Sequence, residues 1–303
     1  MARVLTEKQV LLAKYGSEPD TDNVVTLNDS VTLTPKVKTG DYKELGRGLG
    51  GGKSYSVPDY TTTDGSVNVL LRAGLPPKIA ELYKMCALDE TLVKDDDNNV
   101  TEAHYKPSQN PIPNGYLTNY LDGEKRIITG VCGNLKATFN VGEMAKLTFE
   151  LKGFTTPETT LEDNPAVTLD DEDIFIVESI DVITIGGTSY EIENVDFDMG
   201  VEIKEIYVIG AKEYQITDYK PKITLKDLKQ KGDNGVWQDI ANGNVKSIDI
   251  KLSTAIGRTF ELVANYARLT DVSESDNGGN LENNRTYLLE SNSGGDNFEI
   301  IYK

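Results

Sequence analysis

The sequence predicts a mainly β protein built from two copies of one β-rich unit. Lys53-x-Tyr55-x-Val57-x-Asp59-Tyr60 returns as Lys212-x-Tyr214-x-Ile216-x-Asp218-Tyr219, every matched residue displaced by 159 positions (212 − 53). Gly133-Asn134-Leu135-Lys136 returns as Gly243-Asn244-Val245-Lys246, and Thr148-Phe149-Glu150-Leu151 as Thr259-Phe260-Glu261-Leu262. Between turn residues, most of the chain alternates apolar or aromatic positions with polar ones, the period of a half-buried strand. A tandem β unit with no evident catalytic set points to self-assembly more than to chemistry.

The elements follow in order. Residues 1–24 mix a short helical pattern (Lys8, Val10, Leu11, Leu12, Tyr15) with the polar stretch Ser17–Asp22, and read as an N-terminal arm outside the first core. The first unit then spans 25–154. Val31–Thr34 alternates as a strand, Gly40–Gly52 reads as a long glycine-rich loop, and Tyr55–Val57 and Val67–Arg72 read as strands. Pro76–Leu88 is the best helix: proline suits a first turn, and Ile79, Leu82, Tyr83 and Cys86 share one face. Pro107, Pro111 and Pro113 keep the next segment irregular, and Leu135–Leu151 reads as a hairpin around Gly142-Glu143.

Residues 155–173, rich in Thr, Pro, Glu and Asp, form the expected linker, and 174–303 the second unit. That unit is almost all strand by pattern, from Phe175–Ile185 to Phe298–Tyr302, with a turn cluster at Ser273–Asn284. Between the matched motifs the first copy spends 61 positions (133 − 72) where the second spends 14 (243 − 229). The first copy therefore carries a helix and a long excursion that the second shortens to a turn around Trp237.

At 303 residues the chain has room for two cores, and 38% hydrophobic with 26% charged residues is a folded composition. The net charge of −18 opposes tight binding to a nucleic-acid backbone. The same charge suits solubility, or a surface past which DNA slides without sticking. The N-terminus shows no apolar secretory core, and no window approaches ~18 apolar residues, so no membrane insertion is expected. Cys86 and Cys132 read as reduced and structural, which fits folding in a cytosol.

The motifs that suggest chemistry fail in context. Gly46-x-Gly48-x-x-Gly51 and Gly52-Lys53-Ser54 imitate phosphate loops, but Arg47 occupies the first P-loop glycine and the strand-like Tyr55–Pro58 follows where a helix should begin. Asp95-x-Asp97-x-Asn99 opens like a calcium loop, yet Val100 and Lys106 stand at its glycine and glutamate positions. The single histidine, His104, reads as a solvated surface residue, and no two of the 49 carboxylates are singled out as a pair. No catalytic residue, cofactor site or metal site is expected.

The layout resembles the tail tube (major tail) proteins of tailed bacteriophages. The likeness lies in the arm, the Val31–Thr34 strand, the Gly40–Gly52 loop, the helix and the Tyr105–Tyr120 excursion. It lies most in Gly130–Phe139 running through Gly142-Glu143 to Leu147–Gly153. The resemblance implies a β-sandwich or half-barrel unit with one flanking helix, joined edge to edge into rings that stack into a hollow tube. Closing a ring leaves no open strand edge, and a head-to-tail interface whose rotation closes makes such a ring.

The duplicated form implies three chains per ring with pseudo-sixfold symmetry, and a virion structural protein assembled in the host cytoplasm. Its partners would be itself and other tail proteins, such as tape-measure, tail-terminator and distal tail proteins, with genome DNA passing through a negatively charged lumen. Lys43, Arg47, Gly50 and Lys53 are the expected contacts between rings, with the arm as a second candidate. Tyr55, Val57, Asp59, Tyr60, Tyr214, Ile216, Asp218 and Tyr219 are expected on repeated core strands. A different class remains open: a tandem β-sandwich binding module for carbohydrate or a host receptor, for which 15 tyrosines supply rings.

Overall fold

A computed structural model describes residues 5, 7–44, 51–178, 181–229 and 235–303. The fold is mainly β. In the first unit the strands are β1 (Gln9–Tyr15), β2 (Val24–Val25), β3 (Thr34–Lys43) and β4 (Gly52–Leu70), followed by helix α1 (Ala80–Met85). Then come β5 (Leu88–Lys94), β6 (Val100–Pro107), β7 (Gly115–Leu121), β8 (Glu124–Asn140), β9 (Lys146–Thr155) and β10 (Thr160–Leu161). The second unit has β11 (Val182–Ile185), β12 (Thr188–Ser189), β13 (Ile192–Asp198), β14 (Val201–Val208), β15 (Ala211–Tyr219) and β16 (Lys222–Leu228). It closes with α2 (Gly235–Asn242), β17 (Val245–Ser253), β18 (Thr259–Asn277), β19 (Asn280–Leu289) and β20 (Glu299–Tyr302).

The two units share one strand plan. In the first, β3 pairs with β4, β4 with β9, β9 with β8, β8 with β7 and β10, and β7 with β1, which also holds β2. In the second, β13 pairs with β16, β16 with β19, β19 with β18, β18 with β17 and β20, and β17 with β11, which also holds β12. Each strand of the first list therefore has a counterpart at the same place in the second. Between β4 and β7 the first unit inserts α1, β5 and β6 over 45 positions (115 − 70); between β16 and β17 the second inserts only α2 over 17 (245 − 228).

This plan corrects several sequence expectations. Residues 9–15 and 24–25 are paired strands rather than an arm or an α-helix, and a single 3-10 turn, Thr21–Asn23, lies between them. β1 pairs along its whole length with β7, and Leu11 and Leu12 are both buried, on opposite faces. Two adjacent leucines facing two different cores produce an apolar run that imitates a helical stripe. The Gly133–Lys136 and Gly243–Lys246 match is not structural either. The first lies on β8, while the second follows α2 and opens β17, the counterpart of β7. Thr148–Leu151 lies on β9 and Thr259–Leu262 on β18, which are again not counterparts.

The helix is shorter than Pro76–Leu88, although Leu82, Tyr83 and Cys86 are buried as its periodicity requires. Gly40–Lys43 and Gly52 belong to paired strands rather than to a loop. Ser273–Asn284 is a long hairpin that turns only at Gly278-Gly279, and the turn around Trp237 is helix α2.

There is one main core, not two. The buried set runs from Leu11 through Phe139, Phe149 and Phe175 to Phe197, Phe260 and Tyr302 without a break. Phe175, expected to open the second unit, hydrogen-bonds Leu71 and Ala145 of the first. At the far side, β20 pairs with β6, so the last strand of the chain is tied to the insertion of the first unit. Tyr83 of α1 packs on Phe149, Tyr105 and Tyr302, and its hydroxyl lies 2.6 Å from that of Tyr302.

Candidate assembly surface

Two hairpin arms leave the body. The outer half of β4 pairs with β3 from Lys38↔Val57 to Lys43↔Gly52, and β15 pairs with β14 from Val201↔Tyr219 to Val208↔Ala211. Gly200, at φ +62°, turns the chain from β13 into the second arm; a Cβ there would strike the Lys220 carbonyl. The Lys53–Tyr60 and Lys212–Tyr219 repeat falls on the second strand of each arm. It is therefore an arm motif whose inner side chains, Tyr60, Tyr214 and Ile216, reach the core as expected, while Tyr55, Asp59 and Asp218 do not. Tyr55 (53% exposed), Asp59 and Asp218 face solvent, whereas Tyr60, Tyr214 and Ile216 are buried.

The arms pack on each other. Tyr60 and Tyr207 lie 4.1 Å apart between ring centroids, and the Lys38 ammonium sits 4.7 Å from both. Lys212 donates to the Asp59 carbonyl at 2.6 Å. Tyr214 stacks on Phe154 at 4.7 Å, and burial, helped by the Glu205 carboxylate, pushes its hydroxyl up to about 12. Val57 packs against the core, and the Tyr219 hydroxyl donates to the Ser108 carbonyl. Rings shared between the arms hold them as one projection, because each fills space the other leaves open.

Of the expected ring-to-ring contacts, Lys43 and Lys53 are exposed at the end of the first arm, with Lys53 3.9 Å from Glu44. Arg47 and Gly50 lie outside the described residues. The tip of the second arm carries the exposed apolar pair Val208 and Ile209.

The more informative surface is the junction between units. β8 has β9 along one side. Its other side is shared by β7, from Glu124 to Val131, and β13, from Lys136 to Asn140. The β8–β13 ladder runs Lys136↔Asp198 to Asn140↔Asn194 and makes one sheet of β3-β4-β9-β8-β13-β16-β19-β18. Side chains reinforce it: Asn134 donates to Asp198 at 2.8 Å, Thr138 to Asp196 at 2.9 Å, and Asn194 to Asn140. The row Val69-Leu147-Ala137-Phe197-Ile223 crosses the junction, and the first-unit counterpart of Ile223 is Thr63, six positions before Val69 (69 − 63).

Sequence reasoning missed this junction. Its signal was the polar set Asn134, Lys136, Thr138 and Asn140 at alternate positions, of which the last three face Asp198, Asp196 and Asn194 across the ladder. Beneath β16 and β19 a second missed feature replaces apolar core with charge: Arg285, 3% exposed, holds Asp227 at 2.6 Å and lies 5.0 Å over the Tyr190 ring.

The groups considered for chemistry are structural. His104 is not solvated: it lies on β6, with Nδ1 2.6 Å from Glu299 and Nε2 2.8 Å from Glu102, clamping β20 to β6. Burial raises the Cys86 thiol well above its ordinary value and pushes Cys132 up to about 12, so neither is a ready nucleophile. Asp95 accepts from the amides of Asp97 and Asn99, which closes a turn rather than framing a cation. Gly52-Lys53-Ser54 opens a strand, not a helix. Among the described residues no group of three His, Cys, Asp or Glu could hold a metal ion, and no helix is long and apolar enough to cross a membrane. No protein-family model and no curated protein sequence matches this chain.

Proposed function

We propose that this chain is a non-enzymatic structural subunit that polymerises as stacked rings of three chains, with pseudo-sixfold symmetry, into the tail tube of a bacteriophage. The observation that carries the reading is the β8–β13 junction: two units of one strand plan are already joined edge to edge, head to tail, within one chain. A head-to-tail contact repeats indefinitely or closes into a ring. The paired arms then serve contacts between rings, and the net charge of −18 keeps genome DNA from adhering to the wall of its conduit. Other tail proteins cap the two ends in the virion.

Negative-stain electron microscopy of the purified protein tests this. Rings or tubes on the order of 100 Å wide are expected, a width set by ~10 Å sheet packing around a central hole. Monodisperse small particles at every concentration would instead favour a tandem binding module. Replacing Asp41–Gly52 by a two-residue turn should leave a folded chain that forms rings but no tubes; normal tubes from that variant would remove the arm from the contact.

A further inference from the structure

We propose that a second copy of this chain lays its β3 along the uncovered edge of β18, in the register that β13 adopts on β8. The proposal rests on the self-assembly reading for its occupant, but its geometry comes from the duplicated plan. β18 is the counterpart of β8. It has β19 on one side, and β17 covers its other side only as far as Arg268. From Leu269 to Asn277 that side carries no strand among the described residues, and the ladder that β13 makes on β8 corresponds to the end of this stretch, from Ser275 onward. Among the described residues β3, the counterpart of β13, pairs with β4 alone. The chain thus has one filled junction and the two matching halves of an empty one.

The register follows from a shared irregularity. Against its C-terminal partner strand each long strand bulges once, between Thr129 and Cys132 where β8 meets β9 and between Leu269 and Asp271 where β18 meets β19; β18 bulges a second time against β17, between Ala264 and Ala267. The first inward row past the bulge is Gly133-Leu151-Gly65 in one unit and Val272-Arg285-Leu225 in the other. Three positions further, Lys136 therefore corresponds to Ser275. One row before, Pro35↔Thr63 corresponds to Phe197↔Ile223, so Lys36 corresponds to Asp198. Because Lys136 stands opposite Asp198, Ser275 stands opposite Lys36 of the next copy. Pro35 has no N–H, so this ladder has one donor fewer than its model within the chain.

Charge selects the same partner. The free stretch of β18 carries Asp271, Glu274 and Asp276 and no cation, while β3 carries Lys36, Lys38 and Lys43 against one Asp41. In this register Lys38 lies diagonal to Asp271, while Glu274 and Asp276 stand opposite Val37 and Pro35; the opposite net charges of the two edges, rather than facing pairs, disfavour β18 on β18 and β3 on β3 and favour β18 on β3. An open edge of this length is otherwise a hazard that proteins cover or protect with charge.

The test uses the full chain carrying both Ser275→Cys and Lys36→Cys; native Cys86 and Cys132 are buried. Opposed positions bring Cβ atoms within about 5 Å, close to disulfide reach. Mild oxidation should give covalent species that end at three chains, at least tenfold more than Ser275→Cys with Thr39→Cys, which is displaced by about 10 Å along the strand. Lys36→Glu with Lys43→Glu should weaken association at least tenfold, and adding Asp271→Lys with Asp276→Lys should restore it. Multimers that form without the 275–36 link, or linkage equal to the displaced pair, overturn the register while leaving the tube reading intact. Linked three-chain species that never stack into tubes support the ladder and overturn the tube reading.

Discussion

The hydroxyl pair of Tyr83 and Tyr302 measures directly whether the two units fold as one body. Tyr83 lies on α1 in the insertion of the first unit, and Tyr302 ends the last strand of the second, 219 positions away. Both are essentially unexposed, at 0% and 1%, and their hydroxyls are 2.6 Å apart. Tyr302→Phe removes that bond and leaves the Tyr83 hydroxyl buried without its partner, costing about 1–3 kcal/mol, and Tyr83→Phe does the same in reverse. Replacing both removes donor and acceptor together, which is nearly neutral when shape is kept, so the double variant should cost less than the sum by about 1–2 kcal/mol. Denaturant unfolding of the four proteins, followed by circular dichroism, gives the cycle. A double variant additive to within about 0.5 kcal/mol would mean that the hydroxyls do not meet, and would refute the shared core.

Arg285→Met should destabilise by about 3–5 kcal/mol in thermal or denaturant melts, because it strips the guanidinium from the buried Asp227 carboxylate; the further change Asp227→Leu should recover most of the loss. Gly200→Ala should cost about 1–3 kcal/mol from its positive φ, and more from the clash with the Lys220 carbonyl; an unchanged melting curve would show that the arm is not held as described. Burial raises the hydroxyls of Tyr60, Tyr83, Tyr105 and Tyr302, and pushes Tyr287 up to about 12. Their folded values exceed the unfolded value near 10, so this stability is fully present below about pH 10 and lost as pH rises through the folded values, at about 1.4 kcal/mol per pH unit for each ionising group. Urea midpoints that stay constant between about pH 9 and 12 would contradict that burial.

What the sequence could reveal was local. The buried face of α1 was legible because Ile79, Leu82, Tyr83 and Cys86 repeat at helical spacing. The β8–β9 hairpin was legible because Leu135, Ala137 and Phe139 alternate toward Leu147, Phe149 and Leu151. β1 was not, since Leu11 and Leu12 serve different cores and break the alternation. Of the three repeated motifs, only the Lys53 and Lys212 pair marks equivalent strands; the others match short strings on strands that are not counterparts. The junction was not placed, because Asn and Thr on β8 mark a polar edge, but pairing Asn194–Asp198 with Lys136–Asn140 is a choice of register between distant segments. His104 was misjudged for the same reason, since its partner Glu299 is 195 positions away.

The six-position stagger across the β8–β13 junction sets the shape of any closed assembly. In the proposed ring three chains would contribute 24 strands (3 × 8), and six units would shift the register by 36 positions (6 × 6) in one circuit. With about 3.3 Å per residue and about 4.8 Å between strands, that shift tilts the strands by about 45° from the axis and gives a wall about 53 Å across at the backbone. Side chains reaching about 6 Å inward from each wall leave a bore of about 40 Å, roomy enough for a double helix to pass untouched. In the proposed ring, a single register between two strands of one chain would thus set the calibre of the channel.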